Sequence, residues 1–196
     1  MLQLVQPRRD PHARRMSLKI IPLALLALAG AAYGAGDLAI EVERIGERFS
    51  VQARATLDAP AALAWRVLTD YDNLPSFIPG LTASAVLLRE ANRAMLEQKG
   101  EARFLIFTFP IEMRLEVLES PHAWITARAV GGNLRRMNGR YDLQPSGSGV
   151  LLRYTGELEP AFDLPPLVGT LALRSMVEEQ FSAMVAEIER RAAGAR

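Results

Sequence analysis

Residues that could perform nucleophilic, acid–base or metal chemistry are few and scattered in this 196-residue chain. It contains no cysteine, which excludes disulfides, thiolate metal sites and cysteine nucleophiles. Its two histidines are His12 and His122, so a metal site built from several histidines is also excluded. His122 lies in a Ser-Pro-His turn, and we do not expect it to be catalytic. Neither a metal ion nor another cofactor is expected.

The acidic pairs have simpler interpretations than catalysis. Asp70 and Asp72 stand where one predicted helix ends and a short one begins, which is typical of helix-end and capping residues. Glu178-Glu179 falls on the polar face of a predicted helix. Gly131-Gly132 indicates a bulge or a hairpin turn rather than a phosphate loop, because no helix follows it. These side chains form no concentrated set of reactive groups.

Aromatic and apolar residues are the stronger candidates, and they could bind a hydrophobic molecule. Tyr71, Phe77 and Ile78 share one loop, which forms either a lid at a ligand portal or a plug that seals the core. The other candidates lie on predicted strands facing the last helix, or on that helix, and either line a cavity or pack as ordinary core. They are Phe104, Met113, Trp124, Tyr141, Tyr154 and Met176.

Residues 14–36 are typical of an export signal, with a basic start, an apolar stretch and small residues at the end. The apolar stretch is shorter than the ~20 residues of a membrane-spanning helix, although an uncleaved anchor is the alternative. Met16 makes a better initiator than Met1, because residues 1–15 are polar and aperiodic. We expect an upstream segment and signal peptide over 1–36, a ligand-binding domain over 37–196, and export to the periplasm.

The basic charge is concentrated in the leader. Residues 1–36 hold five of the 23 Lys and Arg residues but one of the 22 acidic residues, so the remainder is mildly acidic. Such a domain has no overall attraction to nucleic acid. One basic cluster remains, consisting of Arg135, Arg136 and Arg140. It either binds an anionic headgroup or carboxylate, or forms a solvated face.

Hydrophobic periodicity predicts a strand-rich chain closed by a long helix. Alternation over 38–57 predicts a hairpin turning at Gly46. A helix capped by Asp58 runs to Thr69, and a short helical turn capped by Asp72 follows. Helical spacing over 167–191 predicts a long amphipathic helix. The strands between, with Pro110 as one of the turns, are 82–89, 93–101, 102–109, 111–119, 123–130, 134–143 and 149–158. The segments 93–101 and 102–109 form either one long strand or a bulged pair.

The segment 104–109 is apolar on both faces, so one face must contact something other than the last helix. Three interpretations remain open. The N-terminal hairpin covers it, a second protomer covers it, or it makes transient contact with a membrane, since a patch of this size is unusual on a soluble monomer. The oligomeric state is not predictable from the sequence.

This order of elements predicts an α+β architecture in which a curved antiparallel sheet wraps around the C-terminal helix. A meander with one apolar face must cover that face, and the last helix is the only element long enough to do so. Several inward positions on that helix are small or flexible. They are Gly169, Thr170, Ala172, Ser175, Met176, Ala183 and Met184. This composition favours an interior cavity over a solid core.

Segment 65–80, from Trp65 to Gly80, is similar to the helix-and-loop motif of the polyketide cyclase/dehydrase and coenzyme Q-binding branch of the START-like (SRPBCC) superfamily. Segments 100–110 and 135–141 also resemble segments of this branch, and the resemblance covers about residues 38–192. It implies the helix-grip fold. Coenzyme Q-binding members hold a hydrophobic molecule, whereas aromatase/cyclase members steer the ring closure of a polyketide. An export signal departs from the usual cytoplasmic or mitochondrial setting.

The leading hypothesis is an exported, non-enzymatic carrier of a lipid or isoprenoid quinone held in an internal cavity. The alternative is a polyketide-type cyclase or dehydratase, which needs an acid–base group in the pocket. A third hypothesis is an interaction module that uses strand 104–109 as its contact surface. The expected partner is therefore a hydrophobic small molecule, with no nucleic acid and with transient membrane contact.

Overall fold

The computed structural model describes residues 38–104, 107–161 and 166–195. The predicted signal peptide over 1–36 lies outside the described residues. Two α-helices, one 3-10 helix and eight strands occupy this part of the chain. In chain order they are β1 (Ala39–Ile45), β2 (Arg48–Leu57), α1 (Ala61–Leu68), the 3-10 helix (Tyr71–Ser76), β3 (Leu81–Glu90), β4 (Arg93–Phe104), β5 (Phe107–Ser120), β6 (Trp124–Gly132), β7 (Leu134–Ser146), β8 (Gly149–Pro160) and α2 (Pro166–Ala193).

The strands form one antiparallel sheet in the order β1-β2-β8-β7-β6-β5-β4-β3. From β3 to β8 each strand pairs with its neighbour in sequence, which confirms the predicted meander. β2 joins the far edge by pairing with β8. The N-terminal hairpin therefore lies four strands away from β5 in the sheet order, so strand pairing does not bring it to segment 104–109.

α2 packs across the inner face of this sheet and confirms the predicted helix-grip arrangement. Its buried residues recur every three or four positions, as Phe181, Met184, Val185 and Ile188 show. These side chains join one core with inward residues of the strands and of α1. The opposite side of each strand is more polar, as the alternating burial of β2 illustrates.

Pro110 does not form a turn, contrary to the prediction. It lies inside β5 and pairs with Glu101 of β4. At this point β5 has no second neighbour, because its pairing with β6 begins at Met113. Proline lacks an N–H, so it is tolerated where a strand edge is unpaired. Asn133 donates from Nδ2 to the Pro110 carbonyl at 2.7 Å. Segments 102–109 and 111–119 are therefore not two strands that meet at Pro110.

The two predicted aspartate caps are also wrong. Pro60, and not Asp58, is the N-cap residue of α1. The 3-10 helix begins after Asp70, whose side chain makes no capping hydrogen bond. Asp72 instead accepts a hydrogen bond from the backbone N–H of Val86 at 2.8 Å, which ties the 3-10 helix to β3. Gly131-Gly132 accompanies a bulge in β6, as predicted, because the register shifts opposite Arg114 and Leu115.

Candidate functional site: an apolar cavity between sheet and helix

A cavity of about 290 Å³ separates the inner face of the sheet from α2. Strand residues form its floor and α2 forms its roof. Four of the small or flexible residues noted on the last helix line it, namely Gly169, Ala172, Met176 and Met184. The expectation of an interior cavity is thus confirmed.

The floor contains a row of small inward residues that crosses the sheet. Val51 of β2 pairs with Gly156 of β8, Gly156 pairs with Gly139 of β7, and Gly139 pairs with Ala127 of β6. Val51, Gly139 and Ala127 line the cavity. Side chains alternate between the two faces of a strand, so these four positions share the inner face, where the Tyr154 ring packs over the two glycines.

The end of α1 and the 3-10 helix form one wall, through Leu68, Tyr71, Leu74 and Ile78. The Tyr71 hydroxyl donates to Oε1 of Glu119 at 2.9 Å. Burial and the neighbouring Glu119 carboxylate raise the pKa of Tyr71 well above its ordinary value. The carboxylate is itself buried and pairs with Arg89 at 3.3 Å. These contacts fasten the wall to the sheet.

The same wall is fastened to α2 at its other side. Arg191 pairs with Asp70 at 3.0 Å, and its guanidinium carbon lies 5.6 Å from the centre of the Phe77 ring. Gln180 donates from Nε2 to the Pro79 carbonyl at 3.1 Å. Because helix, loop and sheet are joined by directional contacts, the wall keeps its position beside the cavity.

Two tyrosines contribute hydroxyl groups to the floor. Tyr141 and Tyr154 are register partners on β7 and β8, and their ring centroids lie 4.8 Å apart. Burial raises the pKa of Tyr154 to about 12. Burial and the adjacent Tyr154 raise the pKa of Tyr141 further. Both phenols are therefore neutral hydrogen-bonding groups at physiological pH.

Six of the ten predicted binding residues line the cavity. They are Tyr71, Ile78, Met113, Tyr141, Tyr154 and Met176. Phe77 belongs to the same loop but packs against the core beneath Arg191, outside the lining. Phe104 ends β4, and the prediction for its side chain lies outside the described residues.

Trp124 and Arg140 lie on the outer face of the sheet, so the prediction that Trp124 faces the helix is wrong. Ile125 and Tyr141, their neighbours in sequence, line the cavity, and adjacent strand residues point to opposite faces. The Arg140 guanidinium carbon lies 4.9 Å from the centre of the Trp124 ring. Its NH2 group also pairs with Asp142 at 2.7 Å. This arginine is engaged on the outside and does not reach the cavity.

Gln98, Glu101 and Gln180 are polar lining residues that the sequence did not reveal. Gln98 stands in the polar run Glu97-Gln98-Lys99, and only the alternation of Leu96, Gln98 and Gly100 could have placed it inward. It donates from Nε2 to the Ser84 hydroxyl at 3.2 Å. Many apolar lining residues were also missed, including Leu81, Leu96, Phe109, Ile125, Met137 and Leu173.

The lining offers little acid–base chemistry. Among the described lining residues, Glu101 has the only carboxyl group, and none is Lys, Arg or His. Its carboxylate accepts a hydrogen bond from Nε of Arg103 at 2.9 Å. Within the described ranges, His, Cys, Asp and Glu side chains form no group of three or more that could hold a metal ion. No helix in the described part of the chain is long and apolar enough to span a membrane.

Sequence and structure comparisons place this cavity in a known fold. Residues 57–185 match the family described as polyketide cyclase/dehydrase and lipid transport. No curated protein was found to match the sequence.

Solved structures with the same fold include three proteins of low sequence identity. An aromatase/cyclase, Zhui, from a Streptomyces species is 19% identical, with a TM-score of 0.62 over 74% of this chain and 95% of that one. A START superfamily protein from Mycobacterium smegmatis is 16% identical, with a TM-score of 0.59 over 75% and 99%. A STAR-related lipid transfer protein from Xanthomonas axonopodis is 16% identical, with a TM-score of 0.59 over 77% and 98%.

Proposed function

The chain belongs to the polyketide cyclase/dehydrase and lipid transport family, and from this premise we propose that it binds and carries a hydrophobic small molecule. The observation that carries the proposal is the cavity of about 290 Å³ beneath α2, with its mainly apolar lining. Pockets of this kind bind ligands by apolar burial and use a few polar groups for orientation.

The cavity volume limits what can be enclosed. At ~30 Å³ for each water-sized group, 290 Å³ holds roughly ten non-hydrogen atoms. A bicyclic ring or two isoprene units fit this limit. A long isoprenoid quinone or a two-chain lipid would bury one end and leave the rest outside.

Apolar burial alone is sufficient for useful affinity. Each buried methylene contributes about 0.8 kcal/mol, so ten carbon atoms contribute roughly 8 kcal/mol before the entropic cost of association. Since a micromolar complex corresponds to about 8.2 kcal/mol, we expect micromolar or weaker dissociation constants for small ring compounds.

Carrying is favoured over catalysis because Glu101 has the only carboxyl group of the described lining, and Arg103 already donates to it. A cyclase or dehydratase needs a group whose pKa lies near the working pH. The pKa of Tyr154 is raised to about 12 and that of Tyr141 is raised as well, which makes both poor bases. The observation that favours the alternative, a cyclase, is that these hydroxyls could polarise a carbonyl of a bound polyketide. Membership of the coenzyme Q-binding branch stays a prediction.

Export and membrane contact are part of the same proposal. The signal-like segment 14–36 supports delivery to the periplasm, with 37–196 as the binding domain. A carrier would collect its ligand by transient contact with a membrane. Mass measurement of the protein from a periplasmic extract tests this, since cleavage near Gly34 removes the leader and a retained leader contradicts it.

Ligand occupancy is tested by native mass spectrometry and organic extraction of the purified protein. We expect a bound apolar compound, or uptake of one offered in excess. Ala172→Phe places a ring in the cavity and should abolish uptake, because Ala172 is buried and lines the roof. Leu171→Phe is the matched control, since Leu171 is 53% exposed on the same helix. The proposal fails if nothing is bound or taken up, or if both variants behave alike.

A further inference from the structure

The inward hydroxyls of Tyr141 and Tyr154 are not used by the fold. Tyr71, the other lining tyrosine, donates to Glu119 and so has a structural role. Neither Tyr141 nor Tyr154 has a hydrogen-bond partner among the residues that the structure describes. The described part also contains no fully buried side-chain oxygen or nitrogen without a partner. Both hydroxyls must therefore reach accessible space, and the cavity is the space that both residues line.

A pair of glycines fixes the Tyr154 hydroxyl in place. Gly139 and Gly156 oppose each other on β7 and β8, one inward position beyond the two tyrosines. A Cβ atom added to Gly139 would lie 2.8 Å from the Tyr154 hydroxyl oxygen, and one added to Gly156 would also collide with it. Glycine inside a strand weakens the strand and marks the close approach of another group. Here that group is the Tyr154 phenol, which lies over the glycine backbone.

The two phenols are adjacent and held at an angle. Their ring centroids lie 4.8 Å apart and the ring planes are tilted by 46°. Neither ring can move far toward the sheet, because the β7 and β8 backbones lie beneath them. Two O–H donors thus enter the cavity from the same part of its floor.

The electrostatics of the cavity favour a neutral partner for these donors. None of the described lining residues is Lys, Arg or His, so a buried anion would lack a countercharge. Both phenols remain protonated at physiological pH, which makes them donors to an oxygen lone pair. A carbonyl oxygen has two lone pairs and carries no charge, so it can accept from both groups.

We infer that Tyr141 and Tyr154 form the polar anchor of the cavity and select an apolar ring compound that bears an uncharged carbonyl. This inference rests on the proposed binding function and names the ligand class for the same site. A ligand carboxylate at this anchor is excluded by the same argument, because it would be buried without a cation.

Three naphthalene probes of similar size test the anchor by isothermal titration calorimetry. Acetylnaphthalene carries a carbonyl, ethylnaphthalene replaces the carbonyl by a methylene, and naphthoate carries a charge at neutral pH. Wild-type protein should bind acetylnaphthalene most tightly. Tyr154→Phe and Tyr141→Phe should each weaken acetylnaphthalene by roughly 2- to 12-fold, the range of one net hydrogen bond, and leave ethylnaphthalene unchanged.

Folding of the variants is checked by thermal unfolding, where loss of a hydroxyl without a protein partner should leave the midpoint unchanged. The anchor is overturned if both variants weaken acetylnaphthalene and ethylnaphthalene equally, if neither variant changes acetylnaphthalene binding, or if naphthoate binds as tightly. Binding of ethylnaphthalene separates this failure from failure of the proposed function. Unsubstituted naphthalene, which matches the cavity's limit of roughly ten atoms, is the size control, and if neither it nor any probe binds wild-type protein, both proposals fall together.

Discussion

Removing the Tyr71 hydroxyl should destabilise the protein, because it deprives the buried carboxylate of Glu119 of a donor. Glu119 is 7% exposed and accepts the hydroxyl at 2.9 Å. Its remaining partner is Arg89, whose side chain is 43% exposed and lies 3.3 Å away. In Tyr71→Phe the carboxylate therefore keeps one solvated ion pair and loses its short contact with the wall.

The expected cost follows from the kind of hydrogen bond that is lost. Bonds to a charged group contribute about 1.5–3 kcal/mol, and an exposed ion pair contributes about 0–1 kcal/mol and does not compensate. We therefore expect the free energy of unfolding to fall by roughly 2 kcal/mol. In a domain of this size that corresponds to a decrease of roughly 4–8 °C in the melting temperature.

Urea denaturation followed by circular dichroism measures the change, with Tyr154→Phe as the matched control. Both variants remove one hydroxyl from a tyrosine that lines the cavity, but only Tyr71 donates to a protein group. The reasoning is refuted if the two variants have equal stabilities within about 0.5 kcal/mol, which is the spread usual for substitutions away from such contacts. A larger effect of Tyr154→Phe would refute it as well.

Three further predictions follow from contacts around the cavity. Hydrogen bonds from Arg190 and then Arg191 hold the pKa of Glu187 down at about 2. The contribution of Glu187 to stability is therefore present above its ordinary pKa and is lost as the pH falls toward 2. Glu187→Gln should flatten this part of the curve of unfolding free energy against pH. Gly156→Ala should displace the Tyr154 ring and lower the free energy of unfolding by about 1–3 kcal/mol, measured by urea denaturation. Gly131→Ala is the control and should cost less, because its added Cβ meets only an ordinary contact at 3.6 Å. Arg191→Ala removes the contacts to Asp70 and Phe77, so amides 71–80 should exchange hydrogen faster while those of β7 stay unchanged; equal acceleration of both segments would contradict the anchoring role.

The strands were predictable because their burial alternates with a period of two. In β5 the inward set Ile111, Met113, Leu115 and Val117 was identified from the sequence, and all four residues line the cavity. Polar residues between them fix which face is buried, since a slip of one residue would turn every charge inward. The same reasoning placed the long C-terminal helix within one or two residues of its observed bounds.

The same alternation limits which of the candidate site residues can face the cavity together. Arg140 and Tyr141 are consecutive on one strand and cannot both face the cavity. Trp124 and Ile125 are both apolar, so their local alternation is ambiguous. The register resolves it, because Ile125 pairs with the inward Tyr141 and Trp124 pairs with Asp142.

Other parts of the site depend on contacts between distant segments, which no local pattern reveals. The glycine pair that accommodates Tyr154 exists only because β7 and β8 align Gly139 with Gly156. The pairing of Tyr71 with Glu119 joins residues 48 positions apart. Pro110 was predicted to form a turn because proline is rare inside a paired strand. It is tolerated in β5 because the pairing of β5 with β6 begins only at Met113, which the sequence does not show.

The most direct test of a guest-binding cavity is methionine methyl NMR during titration with acetylnaphthalene. Four of the seven methionines line the cavity, namely Met113, Met137, Met176 and Met184. Met95 does not line it and serves as the internal control. The account predicts shifts and ligand contacts for the four lining methyls with Met95 unchanged. Binding that perturbs Met95 and leaves those four unaffected would contradict it.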